Sequence, residues 1–280
     1  MRAGNRTLPG LSIGFACAAY AFLYLPIVVL VVYSFNRDGV GGFPPQHWTL
    51  DWYRTLFDDS AMWTAVANSA IVALSTVVLS MLIGFPAAYA LDRYSFPGKA
   101  AFQRLVLLPL IVPGVITGIS LLILTVSSGF HLSLATVILG HSTALTAVAT
   151  TEIFAGLAKL DRSLEEASAD LGANRLQTLV RIVLPGLQTS LLGTALLVFT
   201  LSMDEIAVTF FLIGRENTLP LEIWSRLRRG ATPEMNAIAT LIFLFSVITI
   251  FLSQWLMTRG ETGTQIMKET LLAQPVEAAQ

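Results

Sequence analysis

The sequence contains few charged residues. Only 12% of its 280 residues are Asp, Glu, Lys or Arg, whereas 54% are hydrophobic. An ordinary soluble domain carries about 25% charged residues, and a soluble fold of this length has too little interior to hide so much apolar side chain. A lipid environment removes that constraint. The formal net charge of -1 also argues against a nucleic-acid partner.

Groups for redox, metal or phosphate chemistry are scarce as well. The single Cys17 can form no internal disulfide, and no pair among His47, His131 and His141 has metal-ligand spacing. The sequence has no G-x-x-x-x-G-K-[ST] phosphate loop, so the chain cannot hydrolyse ATP by that route. We expect no metal site, no cofactor and no catalytic residue. An intramembrane enzyme would need a nucleophile with its base, or metal ligands at depth, and the sequence offers neither.

The dominant feature that is present is a series of six long apolar runs. A bilayer core about 30 Å thick needs roughly 20 apolar residues in a helix. The predicted spans cover residues 11–34, 64–91, 102–126, 132–157, 187–214 and 236–257. The predicted fold class is therefore all-α integral membrane, with residues 1–280 as one transmembrane domain and a polar tail at 262–280. The first run is too long for a signal peptide.

Basic residues in the loops predict the orientation of these spans. With the N-terminus in the cytoplasm, eleven of the 17 Lys and Arg residues fall on the cytoplasmic side. Cytoplasmic loops carry an excess of Lys and Arg, so both termini are predicted to be cytoplasmic. The loop after the fifth span opposes this bias with four arginines, although three glutamates leave it nearly neutral. That loop also predicts a short helix from Leu219 to Arg229, with Gly230 as its stop.

Proline interrupts two of the predicted spans. Pro86 lies in the second span, and Pro109 and Pro113, followed by Gly114, lie in the third. Because proline removes a helix hydrogen bond, these residues are compatible with a bundle that has moving parts. The alternative is equally open, since Pro and Gly are simply more frequent in membrane helices.

The segment at residues 158–185, between the fourth and fifth spans, is unusually polar. Ser163 begins a capping-box spacing, which predicts that a helix starts there. Gly172 stands where a left-handed turn would end that helix, and Asn174 can cap a second helix that Pro185 bounds. The predicted product is a cytoplasmic helix-turn-helix whose small apolar stripe can dock into a partner's groove. The alternative is a solvated connecting loop.

The spacing within this segment matches a known family pattern. The matching residues are Glu166, Ala167, Ser168, Gly172, Ile182, Leu184 and Pro185. They resemble the EAA loop of ABC importer permeases, E-A-A-x3-G-x9-I-x-L-P, with Ser168 in place of the second alanine. In that family the loop forms coupling helices that sit in a cleft of the ATPase subunit. The resemblance implies a type I ABC importer permease bundle, with Glu166, Ala167 and Gly172 at that contact.

The resemblance also implies partners and a location. They are a dimer of ATP-binding subunits, a second permease subunit that is a different chain by family analogy, and a periplasmic or extracytoplasmic solute-binding protein. The implied location is the bacterial inner (plasma) membrane. A channel or secondary carrier acting alone is the competing hypothesis, but it would not need a coupling loop and would favour broken-helix repeats.

Further pieces of the chain resemble the second permease of spermidine/putrescine importers. They include Trp52-Tyr53, Asn68-Ser69, residues 93–99, 108–113, 117–120, 199–205 and 230–237. That resemblance implies a polyamine or a related organic cation as substrate, and a different small solute is the alternative. The family usually has Leu-Asp-Asp where this chain has Met203-Asp204-Glu205. It often has an acid where this chain has Gly114.

Asp204 and Glu205 are the candidate residues of the substrate path. They lie about 17 residues into the fifth predicted span, roughly 25 Å at 1.5 Å per residue, which puts them in the outer half of the membrane. Ionisable groups at such depth normally face a cavity or a partner. One interpretation is a path for cations, and the other is an internal ion pair with Arg226, Arg228 or Arg229.

Overall fold

The structure is a computed structural model that describes residues 7–38, 44–230 and 232–248. Within these ranges the chain is helical, and its one pair of bridged extended residues is Asn36 with Trp48. The all-α prediction is confirmed for the described residues.

The helices are described in chain order. They are α1 (Thr7–Tyr33), α2 (Asp51–Phe57), α3 (Ser60–Arg93), α4 (Lys99–Ile111), α5 (Gly114–Ser127), α6 (Leu134–Leu157), α7 (Ser163–Asp170), α8 (Arg175–Thr178), a π-helical turn (Leu179–Val183), α9 (Leu184–Gly186), α10 (Gln188–Met203), α11 (Ala207–Leu212), α12 (Leu219–Arg229) and α13 (Pro233–Ile248). The short helix predicted from Leu219 to Arg229 is confirmed as α12.

Three of the described helices are long and apolar enough to cross a membrane unbroken: Ser12–Tyr33, Ser60–Arg93 and Leu134–Leu157. They correspond to the first, second and fourth predicted spans. Two pairs of helices reach the same length only together, and they raise the number of candidate spans to five. The sixth predicted span is described only as α13, and its residues beyond 248, like the tail at 262–280, lie outside the described residues.

The third predicted span is broken rather than continuous. Helices α4 and α5 meet at an angle of 103°. Val112 is extended, with ψ 125°, and Pro113 caps α5. A proline ring disfavours helical backbone in the residue before it, which explains the break at Val112. By contrast, α3 continues through Pro86, so that proline does not end its helix.

The fifth predicted span, at residues 187–214, is interrupted as well. Helix α10 ends at Met203 and α11 begins at Ala207, which leaves Asp204, Glu205 and Ile206 between them. We call these three residues the fifth-span break. A second bend, of 69°, separates the helical stretch Arg175–Gly186 from α10.

The described residues divide into two compact units, and the first comprises parts of Met1–Asp58 and Arg229–Gln280. Polar contacts hold the end of α1 to α2 within it. The hydroxyls of Ser34 and Tyr53 are 2.7 Å apart, and Trp52 Nε1 donates to the Asn36 carbonyl at 2.8 Å. Two of the aromatic residues that follow the first span, Trp52 and Tyr53, therefore pack α2 against the chain just after α1.

The second unit, Asp59–Arg228, contains the candidate sites. Its core is built on α3 and α6, which approach closely because Gly84 carries no side chain. A Cβ at Gly84 would lie 2.9 Å from the Cβ of Ala149. One cluster of buried residues unites α3, α6 and the helical stretch after α8: Ala88, Ile153, Leu157, Val183 and Leu187. A second cluster joins α3 and α6 to α11: Val72, Val137, Val208 and Leu212.

Candidate functional site

The polar segment at 158–185, called the coupling segment below, forms two short helices with a tight turn between them. Gly172 adopts φ +83°, a left-handed conformation that favours glycine. The turn is closed by two backbone hydrogen bonds, from Gly172 N to Ala169 O at 2.9 Å and from Ala173 N to Ser168 O at 3.1 Å. This pair of bonds defines a Schellman stop. The predicted glycine turn is confirmed.

Side chains accept hydrogen bonds from backbone N–H groups in the first turn of both helices of this segment. Asn174 Oδ1 accepts from Gln177 N, and Gln177 Oε1 accepts from Asn174 N, both at 2.9 Å, which confirms the predicted cap of the second helix. The first helix begins at Ser163 as predicted, but Ser163 is not its cap. Asp161 Oδ1 accepts from Ser163 N at 3.0 Å instead, and this bond holds the pKa of Asp161 below its usual value.

The end of the second helix corrects another expectation. The sequence predicts that Pro185 bounds it, but Pro185 lies inside α9, and the helical stretch continues to Gly186. The bend comes at Leu187, whose side chain is buried in the core. A proline in the first turn of a helix needs no hydrogen bond from its own nitrogen, so α9 can begin at Leu184 with Pro185 next to it.

The residues that match the family pattern divide into an exposed group and a structural group. Glu166, Ala167 and Gly172 are exposed. Ser168 is buried, and its Oγ lies 3.0 Å from Thr178 Oγ1, so this hydroxyl ties α7 to α8. The serine that replaces the family's second alanine therefore makes a hydrogen bond that an alanine cannot make.

A shallow groove of about 370 Å³ runs over the same surface. It is lined by Leu164, Ala167, Ser168, Leu171, Ala173, Gln177, Arg181 and Ile182. Leu171 is 89% exposed, although it is a large apolar side chain. An isolated exposed leucine is common on proteins, but one beside an apolar groove is suited to contact a partner. Leu184 is half-buried and lies outside this lining.

An ion network attaches the coupling segment to the end of α3. Arg93, the last residue of α3, donates from Nε to Glu165 Oε1 at 2.8 Å, and Tyr89 donates its hydroxyl proton to Glu165 Oε2 at 3.4 Å. Asp92 pairs with Arg93 and also accepts from Arg162 Nη2 at 3.3 Å. The Arg93 and Glu165 side chains are only 9% and 17% exposed. Movement of α7 would therefore pull directly on α3.

Sequence reasoning missed this network. It singled out Glu166, whereas the neighbouring Glu165 makes the contact with the helix bundle. Arg93 and Glu165 are 72 positions apart, so no local spacing joins them. The available signal was the adjacent Asp92 and Arg93 at the end of an apolar run, since charges at that point need partners.

The fifth-span break holds the two candidate carboxylates. Asp204 is exposed, and Glu205 is half-buried. Glu205 Oε1 accepts from Val208 N at 2.9 Å, so this side chain caps α11. Glu205 therefore has a structural role at the start of α11. Its second carboxylate oxygen remains able to accept other hydrogen bonds.

Of the three arginines named as alternative ion-pair partners, Arg226 is engaged elsewhere. Arg226 binds Asp59 through Nη1 at 2.6 Å and Glu222 through Nε at 2.8 Å. The hydrogen bond from Arg226 lowers the pKa of Asp59 below its usual value. Within the described residues of the second unit, no ion pair involves Asp204 or Glu205.

The two broken spans meet at their breaks. A Cβ at Gly114, the first residue of α5, would lie 3.3 Å from the Ala207 Cβ and 3.7 Å from Glu205 Oε1. A Cβ at Gly118 would collide with Phe211 at 2.7 Å. An acidic side chain at position 114 would therefore crowd the start of α11 and lie beside the Glu205 carboxylate. This geometry gives a physical reason for glycine at 114 in a chain that has glutamate at 205.

The sequence matches a protein family model and several named proteins. A family model described as "Binding-protein-dependent transport system inner membrane component" matches residues 80–261. The putrescine transport system permease protein PotI of Escherichia coli K12 is 37% identical over 250 residues, which are 86% of this chain and 89% of that protein. The spermidine/putrescine transport system permease protein PotC of Haemophilus influenzae is 35% identical over 246 residues, which are 88% of this chain and 95% of PotC.

Solved structures share the fold. A bacterial ABC transporter involved in import of the acidic polysaccharide alginate aligns with a TM-score of 0.69 at 18% identity, covering 92% of this chain and 99% of that chain. The MetNI methionine ABC transporter, in an inward-facing conformation, aligns with a TM-score of 0.55 at 15% identity, covering 76% and 98%. At such low identity these likenesses establish the fold alone.

Proposed function

Because the chain belongs to the binding-protein-dependent transport system inner membrane component family, we propose that it forms half of the translocation path of an ATP-driven importer for a polyamine or related organic cation. The chain is an inner-membrane permease subunit. It provides the path by alternating access, and a separate subunit hydrolyses ATP.

The carboxylates of the fifth-span break carry the substrate proposal. Asp204 and Glu205 lie where two broken spans meet, beside the first turn of α5, and no ion pair within the second unit neutralises them. A carboxylate within a transmembrane bundle is costly unless it faces water or a cation. Relatives at 37% and 35% identity are named as permeases for putrescine and for spermidine/putrescine, respectively, and both of these solutes are cations.

The coupling segment carries the proposal about partners. Ala167 and Leu171 line the groove, and the neighbouring Glu166 is exposed, so these residues form the surface that would dock into a cleft of an ATP-binding subunit. Two such subunits, a second permease of different sequence and an extracytoplasmic binding protein complete the importer. Closure of the ATPase dimer would move α7, and the Glu165–Arg93 contact would transmit that movement to α3.

The topology of the proposal is six spans with both termini in the cytoplasm, and residues 1–280 act as one transmembrane domain. The positive-inside bias of the loops supports it. Reporter fusions at Gln280 and in the loop between α1 and α3 test it. A reporter that is active only in the cytoplasm should be active at Gln280 and silent in that loop. An exported C-terminus would overturn the six-span topology.

Uptake by the assembled importer tests the proposed function itself. Cells that express this chain with its partner subunits should accumulate labelled putrescine or spermidine, and the chain should co-purify with an ATP-binding subunit. The chain expressed alone should insert but transport nothing. Co-purification without uptake of either amine would indicate another small solute. Uptake by the chain alone would instead identify a channel or secondary carrier.

A further inference from the structure

A buried histidine lies beside the fifth-span break. His141 is on α6 and is only 2% exposed. Its Nδ1 lies 2.8 Å from Ser202 Oγ, and its Nε2 lies 2.8 Å from Thr209 Oγ1. Both hydroxyls are themselves buried. Both ring nitrogens are therefore used, on two different helices.

The neighbouring bonds indicate which nitrogen carries the proton. Thr209 Oγ1 donates its only proton to the Glu205 carbonyl at 2.9 Å, so it must accept from His141 Nε2–H. The neutral imidazole then accepts at Nδ1 from the Ser202 hydroxyl. A hydrogen-bonded chain thus runs from α10 through the imidazole to the backbone of the break.

The two hydroxyls flank the break in sequence. Ser202 is in the last turn of α10, Thr209 is in the first turn of α11, and Asp204, Glu205 and Ile206 lie between them. One rigid ring on α6 therefore fixes the separation of the two helix ends. With that separation fixed, the backbone of the break has little freedom to move its carboxylates.

We propose that His141 is a positioning residue of the transport path: it holds the ends of α10 and α11 so that Asp204 and Glu205 face the path. This inference rests on the proposed role of those two carboxylates. It assigns a function to a residue that acts through its hydrogen bonds to Ser202 and Thr209.

Substitutions at His141 can separate its two bonds. His141→Phe keeps the ring but removes both bonds. His141→Asn places an amide near the position of Nδ1 and retains the bond to Ser202, whereas His141→Gln reaches toward Thr209. Ser142→Ala is the matched control, because Ser142 Oγ is buried on the same helix and has no partner among the described residues.

The first measurement is chemical and needs no substrate. Cys17 is the single cysteine, so Cys17→Ser provides a background in which Asp204→Cys is the only thiol. The rate at which a cationic thiol reagent modifies Asp204→Cys in membranes reports the position of the break. We expect His141→Phe to change that rate by about tenfold, the factor that corresponds to about 1.4 kcal/mol, and Asn and Gln to change it less. A thiol at Ser128, at the end of α5, should react at an unchanged rate.

The second measurement is uptake of labelled putrescine or spermidine per ATP hydrolysed by the complete importer. A loss of folding lowers uptake and hydrolysis together, whereas a misplaced break lowers the ratio. We expect the ratio to fall in His141→Phe, to recover partly in the Asn or Gln variant, and to stay at the wild-type value in Ser142→Ala.

The outcomes separate this inference from the function on which it rests. Wild-type labelling of Asp204→Cys in the His141→Phe background would overturn the positioning role. If the His141→Phe variant does not accumulate, wild-type labelling of Asp204→Cys in both the His141→Asn and the His141→Gln variant would overturn the positioning role. Unchanged uptake after neutralising Asp204 and Glu205 would instead remove these carboxylates from the path, whatever the labelling shows.

Discussion

The coupling segment and the fifth-span break are both short interruptions between long helices, but they are held in different ways. The coupling segment is polar and exposed, and its shape comes from caps and a glycine turn within 20 residues of chain, with one ion network as its attachment. The break is flanked by buried side chains, and its hydrogen bonds to His141 come from a helix more than 60 positions away.

The two regions should therefore tolerate different substitutions. A locally determined segment keeps its shape when its surface changes, so its function should depend on the few residues that set the turn or touch the partner. A region held by distant contacts should respond to any change in those contacts.

Substitution of Gly172 should have the largest effect. Gly172→Asp places a side chain on a left-handed residue, which costs about 1–2 kcal/mol, and adds bulk to a surface that must enter a partner's cleft. We expect the ATP-binding subunit to dissociate, or to remain bound without responding to the loaded binding protein. Pull-down in detergent and ATP hydrolysis in lipid, with and without binding protein, measure the two results.

A second glycine provides the control for backbone strain. Gly129 has φ +75° and, like Gly172, has no atom within 4 Å of an added Cβ. Gly129→Asp should cost similar strain without loss of coupling. Wild-type coupling in Gly172→Asp would show that residues 158–185 are an ordinary connecting loop. The proposed contact with the ATP-binding subunit would then be wrong.

Neutralising the carboxylates of the break should have the next largest effect. Asp204→Asn with Glu205→Gln should lower amine uptake by about tenfold, because a cation on the path loses its counter-charges. The glutamine oxygen can still accept from Val208 N, so the cap of α11 is retained and the change isolates charge.

Uptake is measured beside the yield of assembled complex. Asp58→Asn, which neutralises an exposed carboxylate just before α3, should leave both unchanged. Unaltered uptake in the double variant would remove the pair from the path. Collapse of the complex would instead point to a structural role for these carboxylates.

Weakening the attachment of the coupling segment to α3 should lower the stability of the complex moderately. Glu165→Gln weakens the contact with Arg93 and should destabilise the complex by about 1–2 kcal/mol, because two largely buried charges lose part of their pairing. Glu166→Gln, one residue away and exposed, is the matched control and should change stability by less than about 0.5 kcal/mol.

A double-mutant cycle with Arg93→Gln measures the coupling energy of the pair. Thermal unfolding and uptake per ATP are the two readouts. Equal losses of thermal stability in Glu165→Gln and Glu166→Gln would contradict the attachment. Additive effects of Glu165→Gln and Arg93→Gln would show that the two side chains act independently.

The smallest effect is expected at Ser168. Ser168→Ala removes the hydrogen bond to Thr178, which is worth about 1 kcal/mol, and it restores the alanine of the family pattern. Coupling should persist with slightly lower thermal stability, and Thr178→Val should behave alike. Loss of coupling in Ser168→Ala would mean that this serine itself contacts the partner.

The sequence determined the elements whose causes lie close together along the chain. The apolar runs at α1, α3 and α6, the glycine turn at Gly172, the cap at Asn174 and the bounds of α12 were all predicted correctly. Each depends on hydropathy, backbone freedom or a hydrogen bond spanning a few residues, so a single sequence contains the cause.

Tertiary structure alone decided which interruptions become breaks and which charges meet. Pro86 lies within a continuous helix, whereas Pro113 begins a 103° bend, although both lie in apolar runs. Glu165 rather than Glu166 binds Arg93, and His141 bridges the two ends of the fifth-span break. The physical reason is the same in each case: the energy of a lost helix hydrogen bond or a buried polar group depends on the neighbours that compensate it, and those neighbours come from distant parts of the chain.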